Sequence, residues 1–306
     1  MKLAVLSSSV FAAALFAGPA LAQCVTVDPV IVPQIRVDPL EMGGSTDLIQ
    51  PLQLTFRRAG VETTPLRVRY QIIDDDSSSV TRVGLSQGPG VDWTSSDSSR
   101  SIGALRYESY ALLRTGLATL GEDDVAVQRP VTLRLTDVRS DIPAGIYREQ
   151  FSVRYWCEVE ETGLPYEAAG AVSVSVAVPN VLSASIAGTS RRGEIDFMDF
   201  STLSRSVQIS VRSTGPYRVT ARSANGSALQ REGATVAGRP SERIAYRAEL
   251  DGEALDVGAV AGSARVMPRA GLAGRLIPFE VNVDSVTGKI AGLYSDTVYL
   301  VLEPAN

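Results

Sequence analysis

Apolar and polar residues alternate along most of the chain, and this period of two constrains its fold more than any other sequence feature. Alternate residues of a β-strand point to opposite faces of a sheet, so each such segment predicts a strand with one buried face. The clearest segments are 52–57, 66–72, 151–155, 172–176, 207–212 and 279–283. Antiparallel strands at this density predict an all-β fold of β-sandwiches. Only residues 105–120 have helical potential, which Gly116 weakens.

An internal repeat divides the sequence into two halves. Ala144-Gly145-Ile146-Tyr147 in the first half resembles Ala291-Gly292-Leu293-Tyr294 in the second. Other matches follow the same order in both halves, with longer connections in the first. We therefore predict two related β-sandwiches in tandem, one over residues 23–178 and one over residues 179–306, which meet at Pro179-Asn180.

The first 22 residues have the three parts of a secretory signal peptide. Lys2 supplies the charge, an apolar run extends through Phe16, and Ala20-Leu21-Ala22 is a small-residue cleavage site. Cleavage there makes Gln23 the first residue of the mature chain. No other segment is apolar for long enough to span a bilayer, so we predict a soluble, exported protein.

Export also bears on the two cysteines, Cys24 and Cys157. In an oxidising compartment an even number of cysteines predicts a disulfide. On the chain-entropy model, a loop of this length disfavours the unfolded chain by about 4–5 kcal/mol when it is closed. The alternative is a pair of metal-binding thiolates, which has no neighbouring Cys or His to complete it.

The chain has no histidine, and Lys2 and Lys289 are its only lysines. Without an imidazole, Ser-His-Asp and Cys-His catalysis, His-ligated metal sites and the usual general base near neutral pH are excluded. We therefore predict a protein that is not an enzyme and has no cofactor and no metal ion. An exported hydrolase with two catalytic carboxylates stays as an alternative, because that chemistry needs no histidine.

Acidic residues outnumber basic ones, mainly in the first half. Residues 23–178 contain 14 basic and 21 acidic residues, whereas residues 179–306 contain 14 and 13. Binding to nucleic acid needs clustered positive charge. The sequence therefore predicts no nucleic-acid partner.

One long loop carries candidate binding residues. The stretch 86–102 is rich in Ser, Gly and Asp, and it contains Val91 and Trp93. Because loops on a rigid sandwich often carry binding residues, we take Val91 and Trp93 as candidates for contact with a surface or ligand. The alternative, which we favour for Trp93 because tryptophan side chains are mostly buried, is that Trp93 folds back onto its own core.

Three short polar motifs favour turns over binding sites. The acidic runs 74–76 and 122–124 lack the alternating spacing of calcium ligands, which favours solvated turns. Asn225-Gly226-Ser227 matches a glycosylation sequon and also a hairpin turn, and we favour the turn.

Several motifs of the second half carry a resemblance to a known family. They include Ile195-Asp196-Phe197, Thr214-Gly215-Pro216-Tyr217, Ile244-Ala245-Tyr246 and the ending Ala291-Gly292-Leu293-Tyr294-Ser295-Asp296-Thr297-Val298. On these residues the second half resembles the spore coat protein U-like family, the exported subunits of archaic chaperone-usher pili in Gram-negative bacteria. The first half resembles the family more weakly, and its clearest match is Pro143-Ala144-Gly145-Ile146-Tyr147.

The resemblance implies an immunoglobulin-like fold without its last strand. It also implies three partners: a periplasmic chaperone that first supplies the strand, an outer-membrane usher, and an adjacent pilin subunit whose N-terminal extension replaces the chaperone's strand. Such strand addition uses the main-chain groups of an open sheet edge. Two features agree with it, since only three residues follow Glu303 and residues 298–302 are apolar on both faces.

A subunit that polymerises also needs a donor segment ahead of its first core strand. Here Cys24 is the second residue of the predicted mature chain, and a bond to Cys157 holds it in the first half. We therefore predict a tip adhesin that accepts a strand and gives none, and that contacts an abiotic or host surface through loops of its first half. The alternatives are a periplasmic pilus chaperone and an exported carbohydrate-binding module or hydrolase.

Overall fold

The computed structural model describes residues 23–40, 48–61, 63–74, 83, 88–96, 100–105, 114–136, 138, 141–158, 165–188, 191–234, 239–260 and 262–305. Within these ranges the chain forms β-strands, turns and a short 3-10 turn at Pro240–Glu242, and it has no α-helix. The predicted signal peptide, residues 1–22, lies outside the described residues.

The strands of the first half are β1 (Val25–Val27), β2 (Val30–Ile31), β3 (Ile35–Arg36), β4 (Leu48–Arg58), β5 (Leu66–Asp74), β6 (Gly90–Ser95), β7 (Arg100–Ser101), β8 (Gly103–Leu105), β9 (Gly116–Leu120), β10 (Ala126–Thr136), β11 (Gly145–Cys157) and β12 (Tyr166–Val178). One sheet has the order β1-β4-β10-β6-β7. The other has the order β2-β12-β11-β5-β8, with β3 also on β12 and β9 also on β5. Three short strands run parallel to their neighbours: β2 and β3 on β12, and β8 on β5.

The strands of the second half are β13 (Leu182–Ile186), β14 (Ser204–Ser213), β15 (Tyr217–Ser223), β16 (Ala228–Arg231), β17 (Arg243–Leu250), β18 (Glu253–Leu255), β19 (Arg265–Met267), β20 (Gly271–Val283), β21 (Tyr294–Ser295) and β22 (Val298–Pro304). The larger sheet has the order β13-β14-β20-β17-β16-β21, with β18 also on β17. The smaller sheet has the order β19-β15-β22, and its pairs are antiparallel.

Each half encloses its own hydrophobic core between two sheets, which we call the first and the second sandwich. Leu54, Phe56 and Phe151 are fully buried in the first core, and Val211, Val219 and Ile277 lie in the second. The alternating segments thus form strands with a buried apolar face, although Gln71 of β5 and Ser152 of β11, on the opposite face, are buried too. The predicted all-β fold of tandem β-sandwiches is confirmed. The boundary between residues 178 and 179 stays a prediction.

The repeat relates strands of the two sandwiches to each other. β4 pairs with β10 as β14 pairs with β20, and β5 pairs with β11 as β15 pairs with β22. Ala144 immediately precedes β11, and the matching motif at 291–294 leads into β22. Along its other side β11 pairs with β12, and no described strand of the second sandwich occupies the equivalent place beside β22.

The helical potential of residues 105–120 is not realised in the described part of that stretch. Residues 116–120 form β9, which pairs with β5 and buries Ala118 and Leu120 in the first core. Gly116 lies against the ring of Tyr70, where a Cβ would come within 2.3 Å of Cζ. Burial and strand pairing outweigh local helix propensity here.

The segment Asn225-Gly226-Ser227 is a turn but not a hairpin. Gly226 and Ser227 have φ values of 66° and 58°, as tight turns require. The strands on either side, β15 and β16, belong to different sheets. The turn therefore carries the chain from one sheet of the second sandwich to the other.

Candidate strand-accepting edge

Among the described residues, one long edge of the second sandwich has no strand paired with it, and we call it the free edge. β22 pairs with β15 over its whole length, from Val298 opposite Ser223 to Pro304 opposite Tyr217. Its other edge pairs with no strand among the described residues. An unpaired edge presents a row of main-chain donors and acceptors to any extended segment that reaches it.

The phase of the β15–β22 ladder shows which residues face the free edge. Ala224 N–H donates to Thr297 O, and Ala305 N–H donates to Pro216 O, each at 2.9 Å. Hydrogen-bonded pairs alternate in an antiparallel ladder, so Tyr299, Val301 and Glu303 direct their main-chain groups at β15. The main-chain groups of the intervening residues 298, 300 and 302 therefore point to the free edge.

The same three residues direct their side chains at the second core. Val298, Leu300 and Leu302 pack against that core but are only partly buried. The repeat motif, 147 residues apart in the two halves, matches them to Phe151, Val153 and Tyr155 of β11, which are 0%, 0% and 1% exposed. β12 covers β11 on its far side, so the difference in burial corresponds to the missing neighbour of β22.

The outer face of β22 is also apolar. Tyr299 and Val301 are 46% and 47% exposed. The guanidinium of Arg222 lies 4.5 Å from the centre of the Tyr299 ring, which is a cation–π distance. The strand at the free edge is therefore apolar on both faces, as the sequence of residues 298–302 predicts for an acceptor strand.

The approach to β22 is fixed by the carboxylate of Asp296, a role that its place in the motif 291–298 did not reveal. Asp296 accepts hydrogen bonds from Tyr246 Oη at 2.6 Å, Ser223 Oγ at 2.5 Å, Asn225 N at 3.0 Å and Thr297 N at 2.7 Å. Burial, and then the bond to Asp296, raise the pKa of Tyr246. Four donors from three segments thus hold Asp296, two residues before β22 begins.

The paired motif residues act as local anchors for β22 and β11. Tyr294 Oη donates to Ile290 O at 2.5 Å and to Ser241 O at 3.2 Å, and Gly292 lies beside the Arg231 side chain. In the first half Tyr147 Oη donates to Pro143 O at 2.6 Å, and Gly145 begins β11. Ala144 and Ala291 lie before the strands. The motif therefore positions the approach to a strand in each sandwich.

Val91 and Trp93 do not form a surface-binding loop, so that candidate is wrong. They lie in β6, paired with Leu135 and Leu133 of β10, and are 8% and 0% exposed. The Trp93 ring packs edge-on against Phe151, with ring centres 5.3 Å apart. The glycines and serines on either side of this strand make the sequence look like a loop. The burial of the strand depends on its pairing with β10, which lies far along the chain.

The two cysteines are joined in the structure, Cys24 to Cys157. The bond ties the residue before β1 to the last residue of β11. Close by, Tyr155 Oη donates to Val25 O at 2.7 Å in the buried core. Burial raises the pKa of Tyr155 to about 12. The N-terminal segment is therefore held inside the first sandwich by covalent and hydrogen bonds.

Two loops at the far end of the first sandwich are organised by Arg58, which sequence reasoning missed. Its guanidinium donates to Thr64 O at 2.9 Å, to Gly121 O at 2.7 Å and to Asp124 O at 3.2 Å. The same loops expose Val61 (98%) and Val125 (72%). Arginine at a strand end gives no sequence signal for such contacts, because its partners are up to 66 residues away.

The described residues of the two acidic runs lie in different surroundings. Residues 122–124 make the predicted turn, in which Asp124 Oδ2 accepts a bond from Gly121 N at 2.7 Å. Asp74 is instead buried at the end of β5, and Asp75 and Asp76 lie outside the described residues. Among the described residues no cluster of three or more His, Cys, Asp or Glu side chains could hold a metal ion.

Comparison with known proteins gives no family or curated relative: no family model and no curated protein match the chain. Within the described residues, no helix has the length and apolar composition that crossing a membrane requires.

Solved structures show a distant likeness over most of the chain. The CsuC–CsuE chaperone–tip adhesion subunit complex of the archaic Csu pili of Acinetobacter baumannii matches with 14% identity and a TM-score of 0.41, covering 91% of this chain and 99% of that chain. The CupB6 tip adhesin of Pseudomonas aeruginosa matches with 12% identity and a TM-score of 0.44, covering 91% and 93%. CfaE, the adhesive subunit of CFA/I fimbria of enterotoxigenic Escherichia coli, matches with 12% identity and a TM-score of 0.44, covering 91% and 94%.

Proposed function

We propose that this protein is an exported, non-enzymatic subunit of a chaperone-usher pilus, of the kind that the spore coat protein U-like resemblance implies. Its second sandwich accepts a strand from another chain along the free edge of β22. Its first sandwich contacts a surface through the loops at its far end. The second sandwich, with the motif ending at Val298, supplies the likeness to a pilin.

The observation that carries the proposal is the contrast between β11 and β22. Both strands follow the same motif and pair with corresponding strands, β5 and β15. β11 is covered by β12 and buries its inward side chains, whereas no described strand covers β22, which buries them only in part. A strand that supplies apolar side chains and ladder bonds would give β22 the environment that β11 already has.

The proposed partners are those that the spore coat protein U-like resemblance implies, and the free edge of β22 is where they would bind. A periplasmic chaperone is proposed to cover β22 after export, and the N-terminal extension of an adjacent pilin subunit replaces it at the outer-membrane usher. The N-terminal segment of this chain supports a position at the tip of the fibre. β1, β2 and β3 all pair within the first sandwich, and Cys24 is bonded to Cys157. This segment is therefore not free to act as a donor strand for another subunit.

The far-end loops support the role of the first sandwich. β11 runs 13 residues from the joint between the sandwiches to Cys157, a span of about 40 Å. The loops held by Arg58 lie at the Cys157 end, because Leu120 pairs with Leu66 and Cys157 with Val68. Val61 and Val125 therefore project on the side away from the strand-accepting sandwich.

A peptide with the sequence of residues 166–178 tests strand acceptance, because this segment covers β11 in the first sandwich. We expect it to bind the exported chain and to raise its Tm, measured by thermal unfolding. A peptide with Val172→Ser, Val174→Ser and Val176→Ser is the matched control, and it should neither bind nor stabilise. A chain whose Tm does not respond to the first peptide overturns strand acceptance.

Two proline variants locate the binding edge. Leu300→Pro removes an N–H that faces the free edge, whereas Val301→Pro removes one that bonds to β15. We expect Leu300→Pro to keep most of the stability of the free chain and to lose the response to the peptide. Val301→Pro should lower the Tm of the free chain itself. Equal peptide responses in wild type and Leu300→Pro would place the binding site elsewhere.

Adsorption to a solid tests the surface-contact role. With the 166–178 peptide bound, the exported chain is applied to polystyrene and the retained protein is measured. We expect the double variant Val61→Ser/Val125→Ser to bind several-fold less than wild type. Val266→Ser, which changes a 61% exposed valine of the second sandwich, serves as the control and should bind like wild type.

A further inference from the structure

The end of the β15–β22 pair lacks one hydrogen-bond donor. Ala305 N–H donates to Pro216 O, but a proline has no N–H to return to Ala305 O. Asn180, which precedes β13, supplies the missing bond. Its Nδ2 donates to Ala305 O at 2.6 Å and to Pro216 O at 2.9 Å. A side chain from the connection between the sandwiches thus completes the ladder of the acceptor strand.

The surroundings of Asn180 fix the orientation of its amide. Oδ1 is buried and accepts no hydrogen bond from the described part of the chain. The amide lies against Gly215, where a Cβ would come within 2.6 Å of Oδ1. A reversed amide would set Oδ1 against two carbonyl oxygens, which are acceptors only. Asn180 therefore acts as a double donor, and the glycine leaves room for it.

The turn at residues 214–216, which contains Gly215, also binds the connection between the sandwiches and contacts the first sandwich. Thr214 is fully buried, and its Oγ1 donates to Pro179 O at 2.7 Å and accepts from Val181 N at 2.9 Å. Ala144 N, just before β11, donates to Thr214 O at 2.8 Å. Residues 214–216 thus touch the acceptor strand, the connection and the first sandwich at once.

We propose that Asn180 is a positioning residue that couples strand pairing on β22 to the contact between the two sandwiches. The inference rests on the proposed function, since it concerns the same edge. A strand bound along β22 restricts the motion of β22 and holds Ala305 against Pro216 and Asn180. Holding Asn180 in place strengthens the hydrogen bonds that Thr214 makes with Pro179 and Val181. A better-held Thr214 in turn strengthens its contact with Ala144 in the first sandwich. Coupling between binding events is reciprocal, so loosening Asn180 must weaken strand binding.

Binding of the 166–178 peptide to Asn180 variants of the exported chain is the first test. We expect Asn180→Ala to lower the affinity by about fivefold to tenfold, the effect of one or two hydrogen bonds. Asn180→Asp should lower it further, because a carboxylate then faces two carbonyl oxygens. Asn282→Ala, which removes an amide on β20 away from this turn, is the matched control and should bind as wild type does.

Hydrogen exchange separates coupling from simple loss of stability. In wild type we expect the peptide to slow exchange at the amides of Ala144 and Val181 by about fivefold or more, within the usual range of coupling. In Asn180→Ala this slowing should disappear although the peptide, at saturating concentration, still occupies β22. The amide of Glu158, bonded to Arg67 O at the far end of the first sandwich, should not respond in either chain.

The outcomes separate this inference from the proposed function. If wild type binds the peptide, and Asn180→Ala binds it equally with the same slowing at Ala144, the coupling is overturned and strand acceptance stands. If wild type does not bind the peptide, strand acceptance is overturned and the coupling falls with it.

Discussion

Asp141 and Arg269 form a two-pronged ion pair across the joint between the sandwiches. Arg269 Nη1 donates to Asp141 Oδ1 at 3.1 Å and Nη2 donates to Oδ2 at 2.9 Å. Leu272 N adds a third bond to Oδ1 at 3.0 Å. The pair joins the loop before β11 to the turn before β20, so it is a second connection between the sandwiches besides Ala144 and Thr214.

The ion pair should contribute little to stability because both side chains are partly exposed. Arg269 and Asp141 side chains are 30% and 51% exposed. We expect a double-mutant cycle with Asp141→Ala and Arg269→Ala to give a coupling of about 0.2–1 kcal/mol in urea unfolding, falling at high salt. A coupling that is larger and independent of salt would contradict this screened-pair description.

Loss of the disulfide should destabilise the first sandwich strongly. Replacing both Cys24 and Cys157 by serine frees a loop with a sequence separation of 133 residues, for which the chain-entropy model gives about 4–5 kcal/mol. Urea unfolding of wild type and the double serine variant measures the difference. A reducing agent should reproduce the loss in wild type and leave the serine variant unchanged.

Tyr155 gives the first sandwich a stability that declines in alkali. Its pKa is raised to about 12 by burial, from an ordinary value of 10. Between about pH 10 and 12 the unfolded chain releases this proton and the folded chain keeps it, so the stabilisation is complete below pH 10 and lost on the way to 12.

The corresponding variant is Tyr155→Phe, which leaves the carbonyl of Val25 without its donor. We expect a loss of about 1–3 kcal/mol at pH 8. The advantage of wild type over this variant should shrink by about 1.4 kcal/mol for each pH unit above 10. Urea unfolding at pH 8, 10 and 11 tests this, with the outward-facing Tyr299→Phe as control. A constant difference across that range contradicts the assignment.

Trp93 should affect stability and leave surface contact unchanged. Its side chain is fully buried, so Trp93→Ala is expected to cost about 3–5 kcal/mol in unfolding free energy. The matched control is Val61→Ala, at a 98% exposed position, which should change stability by less than about 0.5 kcal/mol. If Trp93→Ala kept the wild-type stability but adsorbed less to polystyrene, the original loop hypothesis would return.

Most strands could be predicted from the sequence because the alternation that marks them is a local pattern. Alternation at 66–72 and 279–283 needs only neighbouring residues, and both segments lie in strands with the expected buried face. The repeat motif also identified the correspondence between β11 and β22, since Ala291 to Tyr294 copies Ala144 to Tyr147. Local pattern and internal comparison were together enough for the fold class.

The parts that could not be predicted depend on long-range pairing. The burial of Trp93 is the favoured interpretation of the sequence, but its place in a strand could not be predicted, because β6 pairs with β10, about 40 residues further along the chain. Residues 116–120 became a strand because β5 supplied a partner. Asn180 and Arg58 form their bonds with main-chain carbonyls of other segments, and no side-chain pattern marks such acceptors.

The free edge of β22 also has a consequence for symmetry. Two copies of the chain can place their β22 strands side by side, antiparallel, about a two-fold axis, so that each edge satisfies the other. Such a pair is closed and offers no edge to a third copy. We therefore expect the uncovered chain to form dimers with rising concentration in sedimentation experiments, and the 166–178 peptide to dissolve them. A covering strand supplied early would keep each copy out of this closed pairing and available for a directional fibre.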